Sequence, residues 1–398
     1  MTRTSDLVQE LKPSGIRDFF ELVMGMDDVI SLGVGEPDFS TPWNISNAAI
    51  KSLEDGYTNY TSNKGLRELR DTLASFLEDR DGLSYDPQEE LLITTGVSEA
   101  LDLSMRALIN PGDEVLVPTP CYVSYVPTAK MAGATVKSIR TGPDTEFRLT
   151  PDQLKTALTE DSKILCLNYP SNPTGTSYTR SQLEALSEVI IDENLIVVSD
   201  EIYGQLTFDH DHTPLPSIPG LKDRTIMLNG FSKSYAMTGF RVGYAAGPSD
   251  LIQTMTKIHQ YTMLCAPTPS QFAAVEALIN GDRSVKNMLQ EYEKRRDLVV
   301  HRFRKMGLEC VEPSGSFYAF PSIEATDLTS KAFCEQLLNS KKVAAVPGDA
   351  FGPAGKGHIR VSFATDREDL QAALDRIESF LTDELTLSIK LDDPVSSE

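Results

Sequence analysis

The sequence predicts an α/β fold in which a mainly parallel β-sheet is flanked by helices, together with a smaller α+β domain. In the middle of the chain, short β-branched and apolar runs alternate with longer amphipathic stretches, a pattern typical of strand–helix–strand units. The chain has 398 residues, a length that usually divides between two hydrophobic cores. After about residue 280 the alternation gives way to a long charged helix and a few short apolar runs.

The predicted strands of the large sheet are short apolar segments. They cover residues 91–95, 114–118, 134–137, 163–167, 195–199 and 225–228. Apolar residues at helical spacing predict α-helices over 98–109 and 179–190. Parallel strands need long crossover connections, usually helices, and the sheet they form is buried on both faces. These elements therefore predict a mainly parallel sheet with helices on both sides.

The C-terminal part of the sequence predicts a smaller α+β domain. A charged helix is predicted over 284–306, strands at 317–320, 343–346 and 358–363, and a closing helix over 367–382. We therefore divide the chain into three parts. These are an N-terminal segment (1–45) that packs with the small domain, a large domain (46–283), and a small C-terminal domain (284–398) whose residues from about 386 form an acidic tail.

The composition excludes several classes of protein. The formal net charge of −21 argues against nucleic-acid or anionic-membrane partners, because both require clustered cationic side chains. No apolar run approaches the roughly 20 residues of a membrane-spanning helix, and the N-terminus lacks the pattern of a signal peptide. The five cysteines are scattered, with no metal-binding motif. We expect a cytoplasmic protein with structural thiols and no metal.

The most informative segment is residues 229–243, with the sequence Asn-Gly-Phe-Ser-Lys-Ser-Tyr-Ala-Met-Thr-Gly-Phe-Arg-Val-Gly. Lys233 stands between two serines in a glycine-bearing loop after a predicted strand. A desolvated lysine amine loses its proton readily and can condense with an aldehyde. Ser232 and Arg241 supply a hydroxyl and a guanidinium, which bind phosphate. The segment resembles the pyridoxal-phosphate (PLP) aminotransferases of the class I/II, aspartate-aminotransferase-like, fold-type-I family.

This resemblance implies PLP as cofactor and identifies the residues around its ring. Lys233 would bond covalently to the PLP aldehyde. Asp200, in the family-like segment Val198–Tyr203, would pair with the pyridine nitrogen and keep it protonated, which makes the ring an electron sink. Tyr203 and Asn172 would hydrogen-bond the phenolic oxygen. Tyr122 matches the aromatic residue that stacks on the pyridine face in the family.

The resemblance also implies the phosphate contacts. A strand-to-helix turn at residues 95–100 offers free backbone N–H groups and a helix dipole, both of which favour an anion. Tyr60 lies in a segment that crosses the dimer interface in the family, so we expect a homodimer with shared active sites in which Tyr60 reaches the neighbouring subunit's phosphate. The other residues that the resemblance places at the phosphate are Gly96, Val97, Ser98, Ser232 and Arg241.

Substrate recognition needs a cation for the α-carboxylate of an amino acid. Arg360 lies in an otherwise apolar predicted strand, where an unpaired charge is costly, and a bidentate carboxylate contact explains it. Gly35, in a Gly-Glu-Pro-Asp-Phe segment like that of the family, would let the backbone approach the same carboxylate. Asn172 is a third predicted substrate contact.

The implied activity is transfer of an amino group from an L-amino acid to a 2-oxo acid such as 2-oxoglutarate by a ping-pong mechanism. The donor stays open between an aromatic or broad range and aspartate. Residues 15–20 resemble aromatic-accepting relatives, and Ser98 stands where some aspartate-preferring relatives carry a lysine, so both observations favour an aromatic or broad range, with aspartate next. One alternative is a PLP-dependent carbon–sulfur β-lyase, which would use the same residues. A PLP-binding regulator is less favoured, because the chain has no spare residues for a DNA-binding domain.

Overall fold

The computed structural model describes residues 4–11, 13, 26 and 28–384. Its strands are β1 (Ile30–Ser31), β2 (Leu91–Thr94), β3 (Glu114–Thr119), β4 (Thr135–Arg140), β5 (Ser162–Asn168), β6 (Ile196–Asp200), β7 (Thr225–Gly230), β8 (Gly243–Ala246), β9 (Tyr318–Ala319), β10 (Val343–Ala344), β11 (Val346–Pro347) and β12 (Ile359–Ser362). Its α-helices are α1 (Asp6–Glu10), α2 (Trp43–Glu54), α3 (Arg67–Asp81), α4 (Val97–Leu108), α5 (Tyr125–Met131), α6 (Pro151–Ala157), α7 (Arg180–Asp192), α8 (Ser249–Thr262), α9 (Thr268–Asn280), α10 (Asp282–Lys305), α11 (Ser330–Lys341) and α12 (Arg367–Ser379).

The large sheet has seven strands in the order β2-β8-β7-β6-β5-β3-β4. Strands β3 to β7 pair in parallel, and β8 runs antiparallel to both of its neighbours, β2 and β7. The prediction of a mainly parallel sheet is therefore confirmed. The sequence analysis missed β8, because its four residues directly follow the glycine-bearing loop and show no extended apolar run.

The sheet is buried on both faces, as its apolar strands predict. In β6, Val197 belongs to one buried cluster and Val198 to another on the opposite face. Helices α4, α5 and α8 supply side chains to the Val198 cluster, and α6 and α7 supply side chains to the Val197 cluster. Two of these helices begin at capping boxes, Thr150 with Gln153 and Thr179 with Gln182, which satisfy backbone N–H groups at the helix starts.

Two small sheets form from the ends of the chain. Strand β1 pairs in parallel with β10, and β12 lies between β11 and β9 in an antiparallel sheet. The predicted strand 343–346 is therefore two strands in two sheets. The division into domains at residues 45 and 283 stays a prediction, although β1 does pair with the C-terminal part of the chain.

The C-terminal helices agree with the sequence patterns apart from their ends. The long charged helix is α10, and the closing helix α12 stops at Ser379, where a π-helical turn (Phe380–Glu384) follows it. The predicted tail from about residue 386 lies outside the described residues. None of the described helices is long and apolar enough to cross a membrane.

Candidate active site

The candidate site lies at one edge of the large sheet, around a cavity of about 1030 Å³. Strands β2, β3, β5, β6 and β7 all run in the same direction, because β8 is antiparallel to both β2 and β7. Residues that follow the carboxyl ends of these strands therefore meet at one edge, where open α/β sheets bind ligands. The cavity is lined there by Val97, Ser98, Tyr122, Asn172, Asp200, Ser232 and Lys233.

Lys233 projects into this cavity from the loop after β7. Its Nζ donates a 2.6 Å hydrogen bond to the backbone carbonyl oxygen of Gly35. Burial lowers the pKa of Lys233 to about 8, an effect that the Glu36 carboxylate opposes and the guanidinium groups of Arg360 and Arg241 reinforce. The amine is therefore neutral, and so nucleophilic, at a lower pH than an ordinary lysine amine.

Asp200 is the last residue of β6 and is buried. Its Oδ2 accepts a 2.8 Å hydrogen bond from the hydroxyl of Tyr125, and its Oδ1 accepts a 3.2 Å bond from the backbone N–H of Ile202. Burial raises the pKa of Asp200 to about 6, and these two hydrogen bonds oppose the rise. A buried carboxylate held in this way is stabilised by a cationic partner.

The turn between β2 and α4 has the features of an anion site. Gly96 has a φ of 77°, and a Cβ there would lie 2.6 Å from Nη2 of Arg241, so a larger residue would displace the guanidinium. Arg241 is oriented by a 3.0 Å hydrogen bond from its Nη1 to the carbonyl oxygen of Thr238. The Thr95 hydroxyl is buried and has no hydrogen-bond partner among the described residues. Within the part of the chain that the structure describes, no side chain caps the start of α4, so backbone N–H groups there remain available to an anion.

Arg360 lies on β12 and is 2% exposed. Its Nη1 donates to Oδ1 of Asn172 over 2.9 Å, and its Nη2 donates to the carbonyl oxygen of Gly33 over 2.6 Å. The guanidinium lies 4.4 Å from the ring centroid of Tyr318. None of the carboxylates in the described ranges forms an ion pair with Arg360. A buried guanidinium without an anion is suited to a carboxylate ligand.

The hydroxyl of Tyr203 meets that of Tyr318 at 3.1 Å beside the same cavity. Burial raises the pKa of Tyr203 well above its ordinary value. The hydroxyl therefore keeps its proton at neutral pH and can donate a hydrogen bond to a ligand.

Comparison with known proteins identifies the family to which this arrangement belongs. The family model described as aminotransferase class I and II matches residues 27–377. The chain belongs to this aminotransferase family. A putative aminotransferase of Bacillus subtilis is 49% identical, with 95% of this chain and 98% of the relative covered. An aspartate aminotransferase of Pyrococcus abyssi is 44% identical with the same coverage of both chains.

The fold comparison agrees with this assignment. The crystal structure of an aromatic aminotransferase from Pyrococcus horikoshii matches this aminotransferase with a TM-score of 0.89 and 42% sequence identity, over 94% of this chain and 100% of that chain. The predicted fold type I and the predicted aminotransferase activity are therefore confirmed.

Most of the residues predicted for the site lie around one cavity of the aminotransferase. Gly96 precedes Val97, which lines the cavity, and lies next to the guanidinium of Arg241. Tyr60 is the exception, because its side chain is 81% exposed and it does not line the cavity. The predicted residues that line the cavity are Gly35, Val97, Ser98, Tyr122, Asn172, Asp200, Tyr203, Ser232, Lys233, Arg241 and Arg360.

Sequence reasoning missed several residues that complete the site. Tyr125 holds Asp200, and Asn168 donates from its Nδ2 to the Asp200 carbonyl oxygen over 2.9 Å. Both stand in segments that resemble the family, but neither pattern shows which neighbour each would contact. Tyr318 and Glu36 also line the cavity. Tyr318 lies in a buried strand, and nothing in the sequence around it distinguishes a site residue from an aromatic residue of the core.

Two further expectations concern the donor range and metal binding. The segment 15–20, on which the aromatic-donor interpretation depends, lies outside the described residues. Within the described part of the chain, no group of three or more His, Cys, Asp or Glu side chains is arranged to hold a metal ion.

Proposed function

We propose that this aminotransferase binds PLP in the cavity and transfers amino groups between L-amino acids and 2-oxo acids. The observation that carries the proposal is the position of Lys233, which lines the same cavity as Asp200 and the turn residues Val97 and Ser98. The unpartnered Thr95 hydroxyl and the Arg241 guanidinium fit a phosphate, and the buried carboxylate fits a protonated ring nitrogen. The donor set therefore fits PLP.

When bound, PLP supplies an aldehyde that takes up the amino group and a ring that withdraws electrons from the substrate Cα. Lys233 would bond to the aldehyde in the resting enzyme and act as the general base and acid when released. Its pKa of about 8 suits an amine that must both accept and return a proton near neutral pH. Asp200, supported by Tyr125, would hold the proton on the ring nitrogen. Tyr203 and Asn172 would donate to the phenolic oxygen.

The remaining residues would fix the ring, the phosphate and the substrate. Tyr122 would stack on the ring. Arg360 would bind the α-carboxylate shared by the amino-acid and oxo-acid substrates, with Gly35 and Asn172 beside it. The phosphate would be held by Gly96, Val97, Ser98, Ser232 and Arg241.

We further propose a homodimer in which Tyr60 contacts the phosphate in the neighbouring subunit. The segment that carries Tyr60 is held against residues 264–268, through hydrogen bonds from Asn63 to the Leu264 carbonyl and from Thr268 to the Asn59 carbonyl. Tyr60 and Tyr261 are each more than four-fifths exposed, and exposed large apolar side chains of this kind are common at protein interfaces. All five cysteines are unpaired, which supports a reducing, cytoplasmic location.

The test is a panel of amino donors with 2-oxoglutarate, in which each oxo-acid product and glutamate are measured. We expect oxo-acid-dependent turnover with an aromatic or broad range of donors or with aspartate, and the panel decides between these ranges. Cystathionine is included with and without the oxo acid. Pyruvate and ammonia released without an oxo acid would favour the β-lyase instead.

Reduction with sodium borohydride tests the cofactor directly. Mass spectrometry should then find the pyridoxyl group on Lys233, and Lys233→Ala should retain PLP non-covalently while losing turnover. A label on another lysine would refute the assignment. Lys257→Ala, on the outer helix α8, is a matched control that should behave like the wild type.

A further inference from the structure

A buried Glu–His pair lies directly behind the turn that we propose for the cofactor phosphate. The Nδ1 atom of His259 is 2.6 Å from Oε1 of Glu99. The other carboxylate oxygen of Glu99 accepts a 2.5 Å hydrogen bond from the backbone N–H of Thr95. The His259 side chain is fully buried, and that of Glu99 is 11% exposed. Neither residue lines the cavity, so any effect on a ligand would act through the turn.

The two residues come from antiparallel helices. Glu99 lies in the first turn of α4 and His259 in the last turn of α8. Farther along the same contact, the hydroxyl of Ser104 is 3.8 Å from the sulfur of Met255. As the residue number rises along α4, its partner's number falls along α8. The Glu–His pair therefore ties the start of α4, and the turn before it, to a neighbouring helix.

The carboxylate of Glu99 could either bind the free backbone N–H groups at the start of α4 or be held away from them by other partners. Acidic side chains in the first turn of a helix interact favourably with the free backbone N–H groups there. These are the groups that we propose for the phosphate, and a free carboxylate beside them would compete with the phosphate and repel it. In the structure one oxygen of Glu99 is occupied by Thr95 and the other by His259. His259 thus helps to keep the carboxylate away from the phosphate site.

A histidine at position 259 is explained by the hydrogen bond of its Nδ1 with Glu99 and not by packing. An ionised carboxylate can only accept hydrogen bonds, so we assign the donor role in this contact to Nδ1 of His259. The Nε2 atom is buried and has no hydrogen-bond partner among the described residues. Leaving a polar nitrogen unsatisfied in the interior is unfavourable, whereas an apolar side chain would fill the same space without that cost.

We propose that His259 is a positioning residue for the cofactor phosphate and acts through Glu99 on the turn 95–98. The inference rests on the proposed binding of PLP. His259 holds the Glu99 carboxylate against the N–H of Thr95, which leaves the backbone N–H groups at Val97 and Ser98 for the phosphate. We expect the effect to be specific to the phosphate, because within the described residues no side-chain hydrogen bond of the pair reaches a residue that we propose for the ring.

The test compares the affinities of the cofactor-free, full-length protein for PLP and for pyridoxal, which has the aldehyde but lacks the phosphate. His259→Leu removes the donor and keeps an apolar side chain. His259→Asn keeps a hydrogen-bond donor in the position of Nδ1, because its amide nitrogen is also bonded to Cγ. We expect His259→Leu to weaken PLP binding about 10-fold and pyridoxal binding less than about 2-fold. His259→Asn should remain within about 3-fold of the wild type for both ligands.

A second comparison tests whether His259 acts through Glu99. In a Glu99→Ala background, His259→Leu should not change the ratio of PLP to pyridoxal affinity any further, because coupled residues are not additive. An additive effect would overturn the proposed route. Should the leucine variant not fold, His259→Gln replaces it, since its amide nitrogen lies one bond farther along the side chain and should also lose PLP selectively.

Equal losses for PLP and pyridoxal, or unchanged PLP affinity in both His259→Leu and His259→Gln, would overturn the proposal. Failure of the wild-type protein to bind either aldehyde at Lys233 would instead refute the proposed cofactor. The two failures are therefore distinguishable.

Discussion

Arg360 and Asn172 are joined by a 2.9 Å hydrogen bond from the guanidinium Nη1 to the amide Oδ1. Because a guanidinium only donates, this contact fixes the orientation of the amide, with oxygen towards Arg360. The amide nitrogen of Asn172 has no acceptor among the described residues. One asparagine can therefore orient the arginine that we propose for the substrate carboxylate while it donates to a second ligand group in the cavity.

The first prediction concerns Arg360. Arg360→Lys keeps the charge but loses the planar fork, so bidentate binding of a carboxylate is lost. We expect the KM for both the amino donor and the oxo acid to rise about 10- to 100-fold, the effect of losing one charge-assisted hydrogen bond. PLP affinity, followed by absorbance, should change little. Arg367→Lys, at a partly exposed ion pair with Glu291, is the matched control, and equal KM values in the two variants would contradict the role of Arg360.

The second prediction concerns Asp200 and its support by Tyr125. Asp200→Ala should bind PLP weakly and lose most of its turnover, because the ring nitrogen no longer has a carboxylate partner. Tyr125→Phe removes a hydrogen bond that lowers the pKa of Asp200. That pKa should therefore rise, and kcat/KM should begin to fall at a higher pH on the acidic side than in the wild type. If kcat/KM of Tyr125→Phe fell at the same acidic pH as that of the wild type, the hydrogen bond would not control the pKa of Asp200.

The third prediction follows from the lowered pKa of Lys233. In the cofactor-free protein, the neutral amine should become available as the pH rises through about 8, rather than through the ordinary value of about 10.4. The rate of acetylation of Lys233 by acetic anhydride, read by mass spectrometry, should follow this titration. A short lysine peptide in the same tube is the reference. If Lys233 and the peptide titrated together, burial of the amine would not have the predicted effect.

The fourth prediction concerns the shared site. Lys233→Ala and a strongly impaired Tyr60 variant are each inactive or nearly so, but a mixed dimer has one site with its own Lys233 and the native Tyr60 of its neighbour. Activity should recover towards one good site per mixed dimer when the subunits exchange. Tyr60→Phe alone should weaken PLP binding by about 0.5–1.5 kcal/mol, the net value of one hydrogen bond. No recovery despite proven exchange would mean that Tyr60 serves its own subunit.

Much of the fold could be predicted because its strands carry a local signal. The central strands are buried on both faces, and so each contains a short, continuous apolar run. Strand β8 and the split between β10 and β11 could not be predicted in this way. Strand β8 reads Gly-Tyr-Ala-Ala and has no β-branched residue, and β10 and β11 have two residues each. Where such strands begin and end depends on a neighbouring strand that offers hydrogen bonds.

The sequence by itself determined the alternation of strands and helices, and it singled out Lys233, Asp200 and Arg360 as predicted site residues, since each stands in a segment with a family-like pattern. Only the tertiary structure decided how these groups meet. The contacts of Tyr125 with Asp200 and of Tyr203 with Tyr318 join residues that lie 75 and 115 positions apart, and local patterns carry no information about such pairs. The lowered pKa of Lys233 and the raised pKa of Asp200 have the same origin, because burial exists only once distant segments have packed around the side chain and removed its water.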